Sequence, residues 1–371
     1  MSELPRSTDV FVIGGGPAGL AAAIAARRAG CDVTLADSAH PPIDKACGEG
    51  VMPDGIAAAT ALGIRLEDAG GYPFRGIRFC EGAATAEAAF PEGCGMGLRR
   101  TGLHRLMVER AAAAGVRMLW GVRISGIGAE SVYADDRTVA ARWIVGADGG
   151  NSMVRRWAGL DACVRDDRRY GFRRHYRVDG WSDFMELHWA DGCQLYITPV
   201  GPREICVVVV SGDRSLRLAD AWPRFPEAAR RLASATATTL ERGGVSASRR
   251  LRSVCRGRVA LLGDASGSVD AITGEGLCLL FQQAIALADA IKAGDLEIYG
   301  AEHRRLGRRP ALMADLLLTL DRRGGLRRRT LRAMAAEPGL FARLLASHLG
   351  EYSAWGFAAT GLKLGWQILT S

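Results

Sequence analysis

An apolar run at residues 9–13, Asp-Val-Phe-Val-Ile, passes without a break into Gly14-Gly-Gly-Pro-Ala-Gly19, and this junction constrains the fold more than any other stretch. Continuous hydrophobicity over so short a run reads as a parallel strand buried on both faces. The glycines fit GxGxxG, residues 20–29 predict an alanine-rich helix ending at Gly30, and a second strand over 31–36 ends at Asp37. Gly14 permits the tight turn out of the strand and Gly16 lets the backbone approach a pyrophosphate. Gly19 allows close packing of helix on strand, with Pro17 and Ala18 completing the fingerprint. Phosphates would then meet free amides and the positive end of a helix dipole. Asp37, 18 residues beyond Gly19, is placed to accept hydrogen bonds from adenosine ribose hydroxyls.

Two later segments extend the pattern. Gly146-Ala-Asp148-Gly149 precedes Ser152 and Arg155, and Gly263-Asp264 follows another apolar strand, ahead of Ile-Thr-Gly-Glu-Gly at 272–276. With the first fingerprint, these resemble the three cofactor motifs of the p-hydroxybenzoate hydroxylase superfamily, which includes flavin-dependent halogenases and geranylgeranyl reductases. The resemblance covers residues 9–290 and implies FAD as bound cofactor, with NADPH or NADH as a transient reductant. It implies that Asp264, after Gly263, binds the ribityl and pyrophosphate part of FAD. Asp148 and Gly149 would lie near the pyrophosphate and the nicotinamide approach. Gly274 and Gly276 would let a helix N-terminus come close to the flavin ring. Arg100, ahead of a helix predicted over 103–114, matches a family arginine that contacts the cofactor; its neighbour Arg99 is the competing choice.

The segment 44–53, Asp-Lys-Ala-Cys-Gly-Glu-Gly-Val-Met-Pro, bears on the chemistry. Gly48-Glu49 with Pro53 resembles the GESxxP pattern of flavin halogenases, and Cys47-Gly48 resembles the CGG motif of geranylgeranyl reductases. Both comparisons place it at the active-site end of the cofactor. Cys47 is then a candidate proton donor or tuner of the flavin. Glu49 is a candidate catalytic or loop-orienting group, and Lys45 and Gly48 are candidate cofactor contacts. The WxWxIP motif of halogenases has no counterpart, since residues 193–199 read Cys-Gln-Leu-Tyr-Ile-Thr-Pro, so halogenation is not expected. Tyr196 in that segment is a third candidate catalytic residue.

A chain of 371 residues exceeds what one core usually organises. After the Asp148-Gly149 motif the pattern changes to strands alone, over 173–178, 185–189, 194–198 and 204–210. The expected fold class is α/β: a discontinuous Rossmann-like FAD-binding domain of residues 1–75, 96–160 and 256–300. An inserted antiparallel β-sheet substrate domain takes 76–95 and 161–255, and a helical C-terminal region takes 301–371. His175, Tyr176, His188, Trp189, Gln194 and Tyr196 are candidates to line a pocket, and strand alternation turns only about half of them inward.

The net charge of +8 is local, because ten arginines lie between Arg304 and Arg332. Such a block reads as a solvated helical face, with contact to an anionic membrane as the alternative; no nucleic-acid partner is expected. The tail at 352–369, with Trp355, Phe357 and Trp366, reads as a packed helix or an interfacial one. Nine cysteines without a CxxC pair, and no histidines at ligand spacing, predict reduced thiols, no metal site and a cytoplasmic setting, membrane-peripheral at most. No stretch reaches the about 18 apolar residues of a spanning helix.

These readings favour an NAD(P)H-dependent single-component monooxygenase. It would hydroxylate a phenolic or polyketide-like small molecule of secondary metabolism with molecular oxygen, through a flavin C4a-hydroperoxide. The alternatives are a geranylgeranyl reductase-like enzyme saturating double bonds of a prenyl or other lipid, and a non-catalytic flavin-binding partner.

Overall fold

The computed structural model describes residues 4–349; the aromatic tail at 352–369 lies outside them. From Ser7–Ile13 (β1) the chain turns into Pro17–Arg28 (α1), Val33–Asp37 (β2) and Pro53–Ala61 (α2), then forms a hairpin of Gly76–Glu81 (β3) and Ala84–Ala89 (β4). Arg100–Ala113 (α3) returns it to Arg117–Trp120 (β5) and Arg137–Gly146 (β6), before the short helix Met153–Trp157 (α4). Cys163–Arg177 (β7), Phe184–Ala190 (β8), Cys193–Gly201 (β9), Glu204–Ser211 (β10) and Arg242–Leu251 (β11) follow, and Val259–Leu261 (β12) leads into the helices. These are Gly276–Ala293 (α5), Leu296–Arg322 (α6), Gly324–Ala336 (α7) and Pro338–Leu349 (α8).

The first sheet carries the parallel order β12-β6-β1-β2-β5. β1 lies in its middle, with Val12 opposite Val145 on one side and Leu35 on the other. That central position explains why residues 10–13 are all buried. α1 packs on this sheet beneath α3 and α5, and its alanines are what allow so close an approach from several sides: Leu20 through Ala26 are all buried.

The second sheet runs β11-β7-β10-β9-β8-β3-β4. It is antiparallel except where β8 meets β3, with Met185 opposite Ile77. The early hairpin β3–β4 thus joins strands from much later in the chain. The Rossmann-like sheet and helical C-terminal region are those the motif order predicts, whereas the second sheet, expected to be antiparallel, is mixed because β3 joins β8 in parallel.

Among the stretches of strand that the sequence pattern does not show, two are strongly polar. The first half of β7 reads Cys-Val-Arg-Asp-Asp-Arg-Arg and β11 is equally polar, so neither shows apolar alternation. One cross-strand ion pair supports their ladder: Asp166 stands opposite Arg249 and accepts from it at 3.0 Å.

α5 is, among the described residues, the one helix long and apolar enough to cross a membrane, but 67% of it is buried. It packs against α1, α2 and α6, as a core helix does. Nine of the ten clustered arginines are exposed. Arg327 corrects the solvated-face reading: it is 1% exposed and donates to Glu81 at 2.8 Å, Asp191 at 3.1 Å and the Asp321 carbonyl at 2.9 Å. It thereby pins α7 to β3. Replacing it leaves Glu81, in a largely buried setting, with Arg328 at 3.7 Å as its remaining cation, so Arg327→Ala is expected to cost about 3 kcal/mol. The exposed Arg329→Ala should stay within about 0.5 kcal/mol. Denaturant unfolding of both variants checks the difference.

Candidate cofactor and active site

The N-terminus of α1 is shaped by what its glycines exclude. A Cβ on Gly19 would collide with the Gly14 carbonyl, and one on Gly14, where φ is +112°, would collide with Ala147. A Cβ on Gly16, by contrast, would meet nothing within 4 Å. The first two positions serve packing and the third leaves open space at a helix N-terminus. Pro17 opens the helix, and Ala18 stands 2.6 Å from where a Cβ on Gly263 would lie. Asp37 accepts from the Gly15 amide at 2.6 Å and from Ala39 at 2.8 Å, so it braces the glycine loop from the end of β2. His104 of α3, fully buried, donates from Nε2 to the Gly15 carbonyl at 2.8 Å. Burial pushes its pKa down, so it stays neutral. Nothing in its local sequence marks His104 as a loop anchor.

Chain-distant segments close the cradle. Lys45 pairs with Asp264 at 2.5 Å, both side chains about half exposed. Enclosure raises the Asp264 carboxyl, but Lys45, with Arg100 and Arg249 beyond it, leaves the group below its ordinary range. Asp148 caps α4: it accepts from Ser152 Oγ at 2.5 Å and from the Met153 and Val154 amides at 2.7 and 3.2 Å. Its carboxylate is thus committed to the helix, and Gly149 and Gly150, beside which a Cβ would meet nothing, carry the open surface. Arg155, 2% exposed, ties this turn to the next motif by donating to the Gly150 and Ala265 carbonyls. The neighbouring Arg99 and Arg100 differ in their partners. Arg99 pairs with Glu204 at 2.8 Å, whereas Arg100 keeps a buried Nε with no partner among the described residues.

The loop bearing Cys47 is clamped to the second sheet. Glu49 is 1% exposed and sits at φ +59°, a conformation rare outside glycine. Its carboxylate accepts from the Arg100 amide at 2.9 Å, from Arg173 at 2.8 Å and from His175 at 2.7 Å. Arg173 also grips Asp44 with two bonds of 3.0 and 2.9 Å. Glu49 is therefore committed to the clamp. The Glu49 amide donates to Cys47 Sγ at 3.4 Å, and the Cys206 thiol donates to the Cys47 carbonyl at 3.5 Å. Ligating atoms of Glu49, His175 and Cys206 fall within 4.8 Å of one another, a grouping that spacing along the chain conceals. Cys47 itself is partly exposed, and a Cβ on Gly48 would meet nothing.

Register sorts the sheet candidates. Tyr196 lies opposite Leu187 and Val208, and His175 opposite Cys206, so these share the face toward the cofactor sheet. Trp189 and Gln194 share that face too, at the end covered by the C-terminal helices: Trp189 stacks near Phe79, which meets Phe341 of α8 at 4.6 Å. Tyr176 packs with Trp181 on the opposite face. His188 turns the same way and bonds Glu186 at 2.9 Å. Tyr196 Oη is buried with no partner among the described residues, and burial pushes its pKa up. Near the Cys47 loop the wall is apolar. Gly274, at φ +70°, leaves room for Met52 and Met185, while Gly50 faces Met185, Thr198 and Phe74.

FAD fits these residues: an open glycine cradle at a helix N-terminus, an unpartnered buried Arg100 Nε, and open space beside the backbone at Gly48 and Gly276. A family model described as an FAD binding domain matches residues 7–294. A menaquinone reductase of Mycobacterium tuberculosis is 29% identical over 326 residues, spanning 78% of each chain. A 6-methylpretetramide 4-monooxygenase of Streptomyces rimosus is 35% identical over 173 residues, 41% of each. A solved flavoprotein/dehydrogenase of Cytophaga hutchinsonii shares the fold, with a TM-score of 0.78 over 93% of both chains at 19% identity.

The glycines separate packing from binding. Gly16→Ala is expected to keep stability within about 0.5 kcal/mol while weakening flavin binding at least tenfold, about 1.4 kcal/mol. Gly19→Ala should instead cost about 1–3 kcal/mol of stability through overpacking. Thermal unfolding and flavin absorbance measure both; full flavin retention in Gly16→Ala would sink the cradle assignment.

Proposed function

The chain belongs to the FAD binding domain family, and on that premise we propose that this FAD-dependent oxidoreductase saturates isolated double bonds of a prenyl or other lipid-like molecule. Bound and reduced by NADPH or NADH, FAD would supply the hydride equivalent. The polypeptide would position the alkene, keep water out and deliver a proton to the second carbon. Cys47 carries the reading. It is the partly exposed thiol of the loop that the Glu49 clamp holds rigid, and Cys47-Gly48 resembles the geranylgeranyl reductase motif. After donating, its thiolate would regain a proton from solvent.

The surroundings support the assignment. Met52, Met185 and Phe74 make an apolar wall suited to a hydrocarbon chain. Asp44 and Glu49, the nearby carboxylates, are already held by Arg173, Arg242 and His175, which leaves neither free to deprotonate a phenol. The match to the menaquinone reductase also spans 78% of this chain, against 41% for the monooxygenase. Hydroxylation of a phenolic or polyketide-like ring is the second reading, favoured by the unpartnered Tyr196 hydroxyl.

Anaerobic turnover of the reduced holoprotein with a polyprenyl quinone distinguishes the two. The proposal predicts a product gaining two hydrogens without oxygen, lost by about 10²–10⁴-fold in Cys47→Ser with FAD still bound. An oxygen-dependent product carrying one added oxygen, with Cys47→Ser fully active, would establish hydroxylation instead.

A further inference from the structure

Three helices bring ionisable groups to one buried point beside the glycine-rich segment 272–276. Asp54 is the second residue of α2, Glu275 precedes α5, and Cys278 lies in its first turn; their ligating atoms all fall within 4.8 Å of one another. His348 reaches in from α8 and places Nε2 2.7 Å from Glu275 Oε1, the two side chains 6% and 4% exposed. Gln282 donates to Asp54 Oδ2 at 3.0 Å, while Oδ1 is buried with no partner among the described residues. Two carboxylates this close, away from water, resist ionising together. Other charges near α2 stand apart: Glu67 and Asp68 on the segment Leu66–Ala69 are exposed, and Asp68 is held by Arg110 at 2.5 Å.

The cluster sits at an electrically sensitive place. A helix N-terminus carries roughly half a positive charge, and at α5 the Glu275 carboxylate opposes it. We infer that Asp54 and His348 set the charge that the N-terminus of α5 presents to the flavin, which makes the C-terminal helix α8 part of the machinery tuning the cofactor. This rests on the FAD reading and on the expected approach of Gly274 and Gly276 to the flavin ring. His348 offsets Glu275, and Asp54 decides the sum.

The protonation states follow from the packing. Burial, reinforced by Glu275, pushes the Asp54 carboxyl up to about 6. Burial alone would discharge His348, but Glu275 carries it above its ordinary value. Burial pushes the Cys278 thiol well up, so it stays neutral. Below pH 6 Asp54 is neutral, the pair Glu275 and His348 cancels, and the helix end favours the anionic reduced flavin. Above it, Asp54 adds a negative charge that opposes reduction. Because reduction in turn raises the affinity of Asp54 for its proton, the midpoint potential falls more steeply with pH just above 6 than the flavin alone requires.

Redox titration of the holoprotein, followed by visible absorbance at a series of pH values spanning the Asp54 transition, tests this on wild type, Asp54→Asn and His348→Gln. The expected results are a steep segment in wild type that Asp54→Asn lacks, a higher potential in Asp54→Asn on the alkaline side, and a lower potential in His348→Gln at neutrality. Asp54→Asn removes a carboxylate that is costly to ionise, so its thermal stability should hold or rise at alkaline pH. Parallel potential curves for wild type and Asp54→Asn in yellow, folded protein would overturn this inference alone. A chain that binds no flavin would overturn it together with the FAD reading.

Discussion

At the N-terminus of α1, segments far apart in the chain meet at distances that only glycine permits. Gly19 lets α1 lie against the turn at Gly14, Gly14 admits the strand end at Ala147, and Gly263 rests on Ala18. A side chain at any of the three would force the segments apart. The convergence brings the α1 N-terminus, the strand end at Ala147 and Gly263 together, and it draws on β1, an interior strand of the parallel sheet. Site geometry is thus a direct consequence of core packing, with little left to loop conformation.

Another constraint joins this cradle to the second sheet. Asp44 and Glu49 on one loop meet Arg173, His175 and Arg242 on β7 and β11. Breaking a buried pair strands the remaining charge, at a cost of about 3–5 kcal/mol, so the clamp holds only when the whole set assembles. Its rigidity is what permits a non-glycine residue to sit at positive φ beside Cys47, and strain of this kind persists where surrounding contacts over-determine it. The clamp occupies both oxygens of the Glu49 carboxylate.

Much of this was legible in sequence because it is local. The strand, glycines, helix, strand and acid from residue 7 to Asp37 declare themselves within one βαβ unit, and the observed elements differ from the expected ones only at their ends. The illegible parts are long-range. Lys45 and Asp264 are 219 residues apart, and Glu49 and His175 are 126 apart; nothing in either neighbourhood announces the other. The polar ribbon of β7 and β11 shows no apolar alternation, and Asp166 pairs with Arg249 across it. Asp148 is recognisable as part of a motif, yet only the fold shows its carboxylate committed to capping α4, and only the fold shows Arg99 paired with Glu204 while Arg100 keeps a buried, unpartnered Nε. In the same way, Arg327 looks like one more member of a charged block until its burial reveals a clamp.

The central claim is that these converging segments hold a flavin together with an adenosine half braced at Asp37. Mass spectrometry of the cofactor released by heat from the purified chain, with absorbance for stoichiometry, tests it most directly. The account predicts one equivalent of FAD per chain. Release of FMN or of a nicotinamide dinucleotide, or failure of the apoprotein to take up added FAD, would contradict it.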